Sequence, residues 1–264
     1  VEDLLSRMTL EEKIMQMNQY TLGRNTVENN LREMVGKVPA EAGSVIYFSD
    51  DAELRNAMQN RCMEESRLGI PMLFGHDVIH GYRTMAPVPL AQAASWNPSL
   101  VEAVSADAAR EASACGVDWT FSPMVDVARD PRWGRVMEGY GEDVFLTSEF
   151  CRAAVRGYQG SSLSEEGTIA ACLKHFVGYA ASEAGRDYVY TEISGQTLWD
   201  TYLPPFRAGV DEGAATVMSA FNNISGIPAS ANRYTMTEIL KESWGFDGFI
   251  VSDWHAVIQL CNQG

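Results

Sequence analysis

The chain has 264 residues, 46% of them hydrophobic, and a formal net charge of −15 from 20 basic and 35 acidic residues. That length fits one large domain or one barrel, and the apolar content excludes a disordered chain. The acidity disfavours nucleic acid and anionic membranes as partners, and favours a neutral or cationic small molecule.

The opening stretch, VEDLLSRMTLEEKI, reads as an acidic amphipathic helix and not as a signal peptide, which implies a processed or trimmed product. Next, AGSVIYF (42–48) reads as a strand and DDAELRNAMQNRCMEES (50–66) as a helix. GIPMLFGHD (69–77) is a strand that ends in polar residues. NPSLVEAVSADAAREASAC (97–115) is a helix with Pro98 near its first turn. VDWTFSPMVDV (117–127) is a strand that leads into a long polar loop. DVFLTSEFCRAAVRGYQG (143–160) is a helix closed by Gly160. TIAACLKHFVG (168–178) is a strand. SGQTLWDTYLPPFRAGVDEG (194–213) is helical with a proline interruption. AATVMSAFN (214–222) is a strand, TMTEILKESWG (235–245) a helix and FIVSD (249–253) a strand.

This alternation predicts an α/β fold with a parallel sheet covered by helices, because the strands are too continuously apolar for a sheet with one wet face. Six strands are read, whereas a closed (β/α)8 barrel needs eight. The choice is therefore an open doubly wound sheet or a barrel cut short. Polar residues recur at strand C-termini: His76-Asp77, Lys174-His175, Phe221-Asn222-Asn223 and Ser252-Asp253-Trp254. Barrel enzymes gather catalytic groups from several strands at that rim, whereas an open sheet concentrates them at one switch point. No GxGxxG or Walker loop follows a strand. The expectation is thus a (β/α)8 barrel, truncated before its last units.

Several constellations could carry chemistry. Asp77 offers two oxygens that suit a vicinal diol, and Lys174 with His175 offers adjacent donors for sugar hydroxyls or a carboxylate. His76 and His80 have i, i+4 spacing, but they straddle a strand exit and no HExxH helix is present, so a metal site is disfavoured. The loop RDPRWGRVMEGYGED (129–143) is dense in Arg, Gly and Trp, as functional loops often are. Asp253, beside Trp254, is expected to stay ionised if cationic neighbours hold its pKa down, as a nucleophile requires. A helix N-cap is the plain alternative for it. The five cysteines, Cys62, Cys115, Cys151, Cys172 and Cys261, show no zinc or CxxC spacing and read as buried free thiols.

Taken together, LLSRMTLEEKI, GHDVIHG, RDPRWGRVMEGYGED, KHFVGY, FNNISG and GFIVSDW resemble the N-terminal domain of the family 3 glycoside hydrolases, over nearly all of residues 1–264. HGYRT and GRDY resemble its bacterial periplasmic β-glucosidase branch. The resemblance implies a retaining, two-step β-glycosidase, most simply a β-glucosidase, with β-xylosidase specificity or a non-catalytic sugar-binding barrel as alternatives. It implies Asp253 as nucleophile. It also implies sugar contacts from Asp77, Arg83, Arg135, Lys174, His175 and Arg186, with Trp254 lining the next subsite and no cofactor or metal. It implies a periplasmic or secreted protein acting on a small glycoside.

Two departures stand out. VMSAF places Phe221 where the family usually has a tyrosine. The usual acid/base glutamate lies in a following α/β sandwich domain, which these 264 residues do not include. The alternative acid/base, a histidine in a DSH-like motif after KHFPG, has no counterpart in KHFVGYAASEAGRDY. The expectation is therefore a catalytic domain that carries the nucleophile but not the acid/base, with little turnover on ordinary substrates.

Overall fold

The structure is a computed structural model that describes residues 1–22, 33 and 35–263. It divides into two compact units, one of residues 1–76 with 112–119, the other of residues 77–111 with 120–264.

In the first unit the opening stretch makes two helices, α1 (Glu2–Arg7) and α2 (Leu10–Gln16). Thr9 separates them. Its hydroxyl accepts from the Glu12 backbone N–H and its own N–H donates to the Glu12 carboxylate, a reciprocal cap that starts a new helix there. β1 (Gln19–Leu22) follows, a strand the sequence reading missed. It pairs in parallel with β2 (Ser44–Tyr47), which pairs in parallel with β3 (Leu73–His76). Between them α3 (Ala52–Glu65) is capped by Asp51 and buries Leu54, Met58 and Cys62. These join Val45, Tyr47, Met72 and Phe74 in one core.

In the second unit, α4 (Pro89–Ala93) and most of α5 (Pro98–Ala114) follow the β3 loop. Of the strand read over 117–127, only β4 (Trp119–Thr120) is regular. Its continuation still runs parallel to β5 (Cys172–Phe176): Cys172 N donates to Ser122 O, Lys174 N to Pro123 O and Val125 N to Lys174 O. β5 pairs with β6 (Thr216–Ser219), and β6 with β9 (Phe249–Ser252), again in parallel. β5 is buried throughout, as expected of a parallel strand covered on both faces. Among the described residues the parallel strands are β1, β2, β3, β4 with its continuation, β5, β6 and β9, seven in place of the six read from sequence. The sequence reading also missed an antiparallel pair, β7 (Asn223–Ile224) and β8 (Ile227–Pro228), turned at Ser225 and Gly226.

The helix α6 (Val144–Gln159) is capped by the Asp143 carboxylate on the Leu146 N–H and closed by Gly160 at φ 57°. The segment read as helical with a proline interruption is a wide turn at Leu198–Tyr202, then α7 (Pro204–Asp211), with Pro205 in the first turn where a missing N–H costs little. Tyr234–Ser243 is a wide helix, and α8 (Ala256–Gln263) follows β9. Met124, Trp133, Tyr179, Phe221 and Ala256 form a second core under the strand ends. Of the cysteines, Cys62, Cys151 and Cys172 are buried free thiols as expected, Cys115 is half-buried and Cys261 is exposed.

Candidate active site

All of the groups described next lie in the second unit, at strand C-termini or on the loops that follow strands. Asp253 follows β9 directly and is only 9% exposed. Its Oδ1 accepts the Trp254 N–H at 2.7 Å. Its Oδ2 is buried without a hydrogen-bond partner, and His175 Nε2 lies 3.4 Å from it. The helix after β9 starts at Ala256, and the Asp253 side chain caps none of its N–H groups. The N-cap alternative therefore does not describe this residue.

Lys174 and His175 are neighbours near the end of β5. Regular alternation would turn them to opposite faces. The β5–β6 register shifts between Leu173 and Phe176, an irregularity that re-aims side chains. Lys174, almost wholly buried, donates from Nζ to Asp77 Oδ2 at 2.9 Å. His175, also buried, faces Asp126 with Nδ1 at 2.9 Å and Asp253 with Nε2. The same Asp126 Oδ2 accepts the His175 backbone N–H at 2.9 Å.

Burial dominates the electrostatics. It pushes the Asp253 carboxyl up from 3.8 to about 6, against the Trp254 N–H, Arg135 and Lys174, which favour the anion. The expectation that neighbouring cations would hold this pKa down is thus corrected: desolvation exceeds them. Burial likewise pushes Asp126 up to about 7, opposed by the His175 N–H and Arg135. Burial, then Arg135 and Lys174, push His175 well below its usual range, so its imidazole is neutral.

Arg135 grips Glu138 through two bonds, Nε to Oε1 at 2.6 Å and Nη2 to Oε2 at 2.7 Å, and lies over the Tyr179 ring. Tyr179 packs edge-on against His175 and Trp133, and its hydroxyl donates to Asp187. Phe221 is buried between Tyr179, at 5.9 Å between ring centroids, and Tyr188, at 4.7 Å. Trp254 is 42% exposed beside Asp253. Arg83 is exposed, with its backbone N–H on Glu111, and Arg186 is exposed on the 182–188 turn.

The structure thus gathers Asp77, Lys174, His175, Asp253, Arg135, Phe221 and Trp254 around one rim. It adds Asp126, Glu138, Tyr179 and Asp187, which the sequence reading did not select. Asp126 carried a signal: a carboxylate inside the apolar run SPMVDV, next to a strand end, must have a buried partner.

A family model described as "Glycosyl hydrolase family 3 N terminal domain" matches residues 9–264. The chain belongs to this glycosyl hydrolase family. A periplasmic β-glucosidase of Salmonella typhimurium is 39% identical over 264 residues, all of this chain and 34% of that protein. A β-xylosidase of Formosa agariphila is 39% identical over 200 residues, 71% of this chain and 28% of that one. The solved structure of a β-glucosidase from Listeria innocua in complex with isofagomine superposes with a TM-score of 0.91. It is 43% identical, across 100% of this chain and 37% of that one. Family 3 chain and relatives share the α/β, (β/α)8-barrel fold class. The chain spans about a third of the length of these relatives.

Proposed function

We propose that this family 3 chain is the nucleophile-bearing domain of a retaining, exo-acting β-glucosidase that removes nonreducing terminal β-D-glucosyl residues. The observation that carries this reading is Asp253: a buried carboxylate with one oxygen held by its neighbour's N–H and the other bare and faced by His175.

In the first step Asp253 Oδ2 forms a bond to the anomeric carbon while the bond to the aglycone oxygen breaks, and that oxygen takes a proton from a general acid. In the second, water attacks the same carbon, the Asp253–sugar bond breaks and the water's proton goes to the same acid/base group. Lys174 and Asp77 present a donor and an acceptor to neighbouring hydroxyls, and His175 and Arg135 line the same subsite. Trp254 offers an apolar face for the leaving group. Phe221 packs its ring against Tyr179 and Tyr188. The exposed Arg83 and Arg186 belong to the outer rim of the site.

Among the described carboxylates here, Asp126 is committed to His175, Asp77 to Lys174 and Glu138 to Arg135. We assign the acid/base role to none of them and place it in a further α/β sandwich domain of the intact enzyme. The proposed steps use no cofactor. The periplasmic relative supports a periplasmic or secreted location, and no described helix is long and apolar enough to cross a membrane.

The test is a pre-steady-state assay with 2,4-dinitrophenyl glycosides, whose leaving group needs no protonation. The 264-residue chain should release a burst of dinitrophenolate from the β-D-glucoside, larger than from the β-D-xyloside, followed by little turnover. The β-xylosidase relative makes xylose the second candidate, and a larger burst from the xyloside would select it. No burst from either overturns the retaining mechanism.

A further inference from the structure

We propose that Asp126 is a positioning residue: it holds the single proton of the His175 imidazole on Nδ1 and thereby withholds a hydrogen-bond donor from Asp253 Oδ2. This rests on the reading of Asp253 as the nucleophile.

The geometry is specific. Asp126 Oδ2 takes the His175 backbone N–H at 2.9 Å and faces Nδ1 at 2.9 Å. Burial raises the Asp126 carboxyl to about 7 against the backbone N–H and Arg135, so at pH 8 Asp126 is the anion, and an oxygen that accepts in both directions then needs the proton on Nδ1. His175 is neutral, so Nε2 then carries only a lone pair. That nitrogen lies 3.4 Å from Asp253 Oδ2, longer than the 2.9–3.0 Å typical of an N–H···O bond, and Oδ2 has no hydrogen-bond partner. Two facing lone pairs account for both observations.

The consequence is chemical. Were the proton on Nε2, it would donate to Oδ2, stabilise the anion and make it a weaker nucleophile. With the proton held on Nδ1, Oδ2 stays bare, and Nε2 stays free to accept a hydroxyl hydrogen from the sugar. The other groups that act on these residues are Arg135, Lys174, Asp77, Glu138, Tyr188, Tyr202 and Cys172. Among the described residues none of these bonds to a ring nitrogen of His175, and the 2.9 Å contact of Asp126 with Nδ1 outweighs the 3.4 Å approach of Asp253 to Nε2.

The tautomer can be read without substrate, from imidazole 15N spectra of the full chain at pH 8, with the His175 signals assigned by His175→Gln. A protonated Nδ1 and a bare Nε2 are expected, and an Nε2–H tautomer overturns the proposal. Asp126→Ala should move the proton towards Nε2. Covalent labelling by an activated 2-fluoroglucoside should then slow ~10–100-fold. Its acid limb should fall from about 6 towards ~4, the ordinary carboxylate range. Asp126→Asn, which keeps an oxygen, should retain the tautomer and most of the rate. An unchanged tautomer or an unmoved acid limb in Asp126→Ala overturns the proposal. If that variant does not fold, the wild-type spectrum decides alone. Absence of an adduct in every protein, with the tautomer as stated, overturns the nucleophile reading instead.

Discussion

Asp253→Asn should make the folded protein more stable at neutral pH. The carboxyl rises from 3.8 to about 6 because burial penalises its charge. Between these two values the folded state binds more protons than the unfolded state, so stability falls as pH rises through that window. Two pH units at 1.36 kcal/mol each give a cost of about 3 kcal/mol once Asp253 is ionised in both states. Asp253→Asn removes that charge. It also keeps an oxygen for the Trp254 N–H and places an NH2 near the His175 Nε2 lone pair. Urea unfolding at pH 4, 6 and 8 checks this. The variant should exceed the wild type by about 1–3 kcal/mol at pH 8, and the gap should shrink towards zero at pH 4. A gap that does not change with pH, or a variant less stable at pH 8, would refute the claim that desolvation dominates at Asp253.

If Asp253 is the nucleophile as proposed, the same shift governs activity: the labelling rate should be half-maximal near pH 6 and fall about tenfold per unit below it, whereas a limb near 4 would contradict the burial argument. Lys174→Met should lower kcat/KM for aryl glucosides ~10–100-fold, the value of one charged hydrogen bond to a sugar hydroxyl. Its stability should change less, since the Asp77 carboxylate left behind is 47% exposed and can be hydrated; steady-state kinetics and urea unfolding separate the two effects. Phe221→Tyr should leave labelling within about threefold if ring packing against Tyr179 and Tyr188 is its whole role, and a larger rate gain would assign the missing hydroxyl a part in catalysis. Gly157→Ala should cost about 1–3 kcal/mol in unfolding experiments, because a Cβ on α6 would sit 2.4 Å from Glu102 O and 2.6 Å from Ser105 Cβ on α5.

Much of the site was legible because parallel strands expose their chemistry at their C-terminal ends. Asp77, Lys174, His175 and Asp253 each end an apolar run, and reading the run locates the residue. β1 was missed because QYTL is short and half-polar, and only its partner β2 makes it a strand. The β7–β8 pair is two residues on each side, too short for a periodic signal. The 117–127 stretch read as one strand is regular only at Trp119–Thr120; its pairing with β5 depends on a partner some fifty residues away in sequence, which local pattern cannot see. The sign of the Asp253 shift was misread for a related reason. Charges are counted from sequence, but desolvation depends on what packs over the carboxylate. Asp126 was passed over because its importance lies in a contact with His175 and not in its own neighbours.

The central claim is that Asp253 is the nucleophile of a retaining β-glucosidase. The most direct measurement is mass spectrometry with peptide mapping after incubation with a 2-deoxy-2-fluoro-β-D-glucoside bearing an activated leaving group, on the wild type and Asp253→Ala. The account predicts one fluoroglucosyl adduct, on Asp253, absent from the variant. An adduct on another carboxylate, or none on a correctly folded protein, would contradict it.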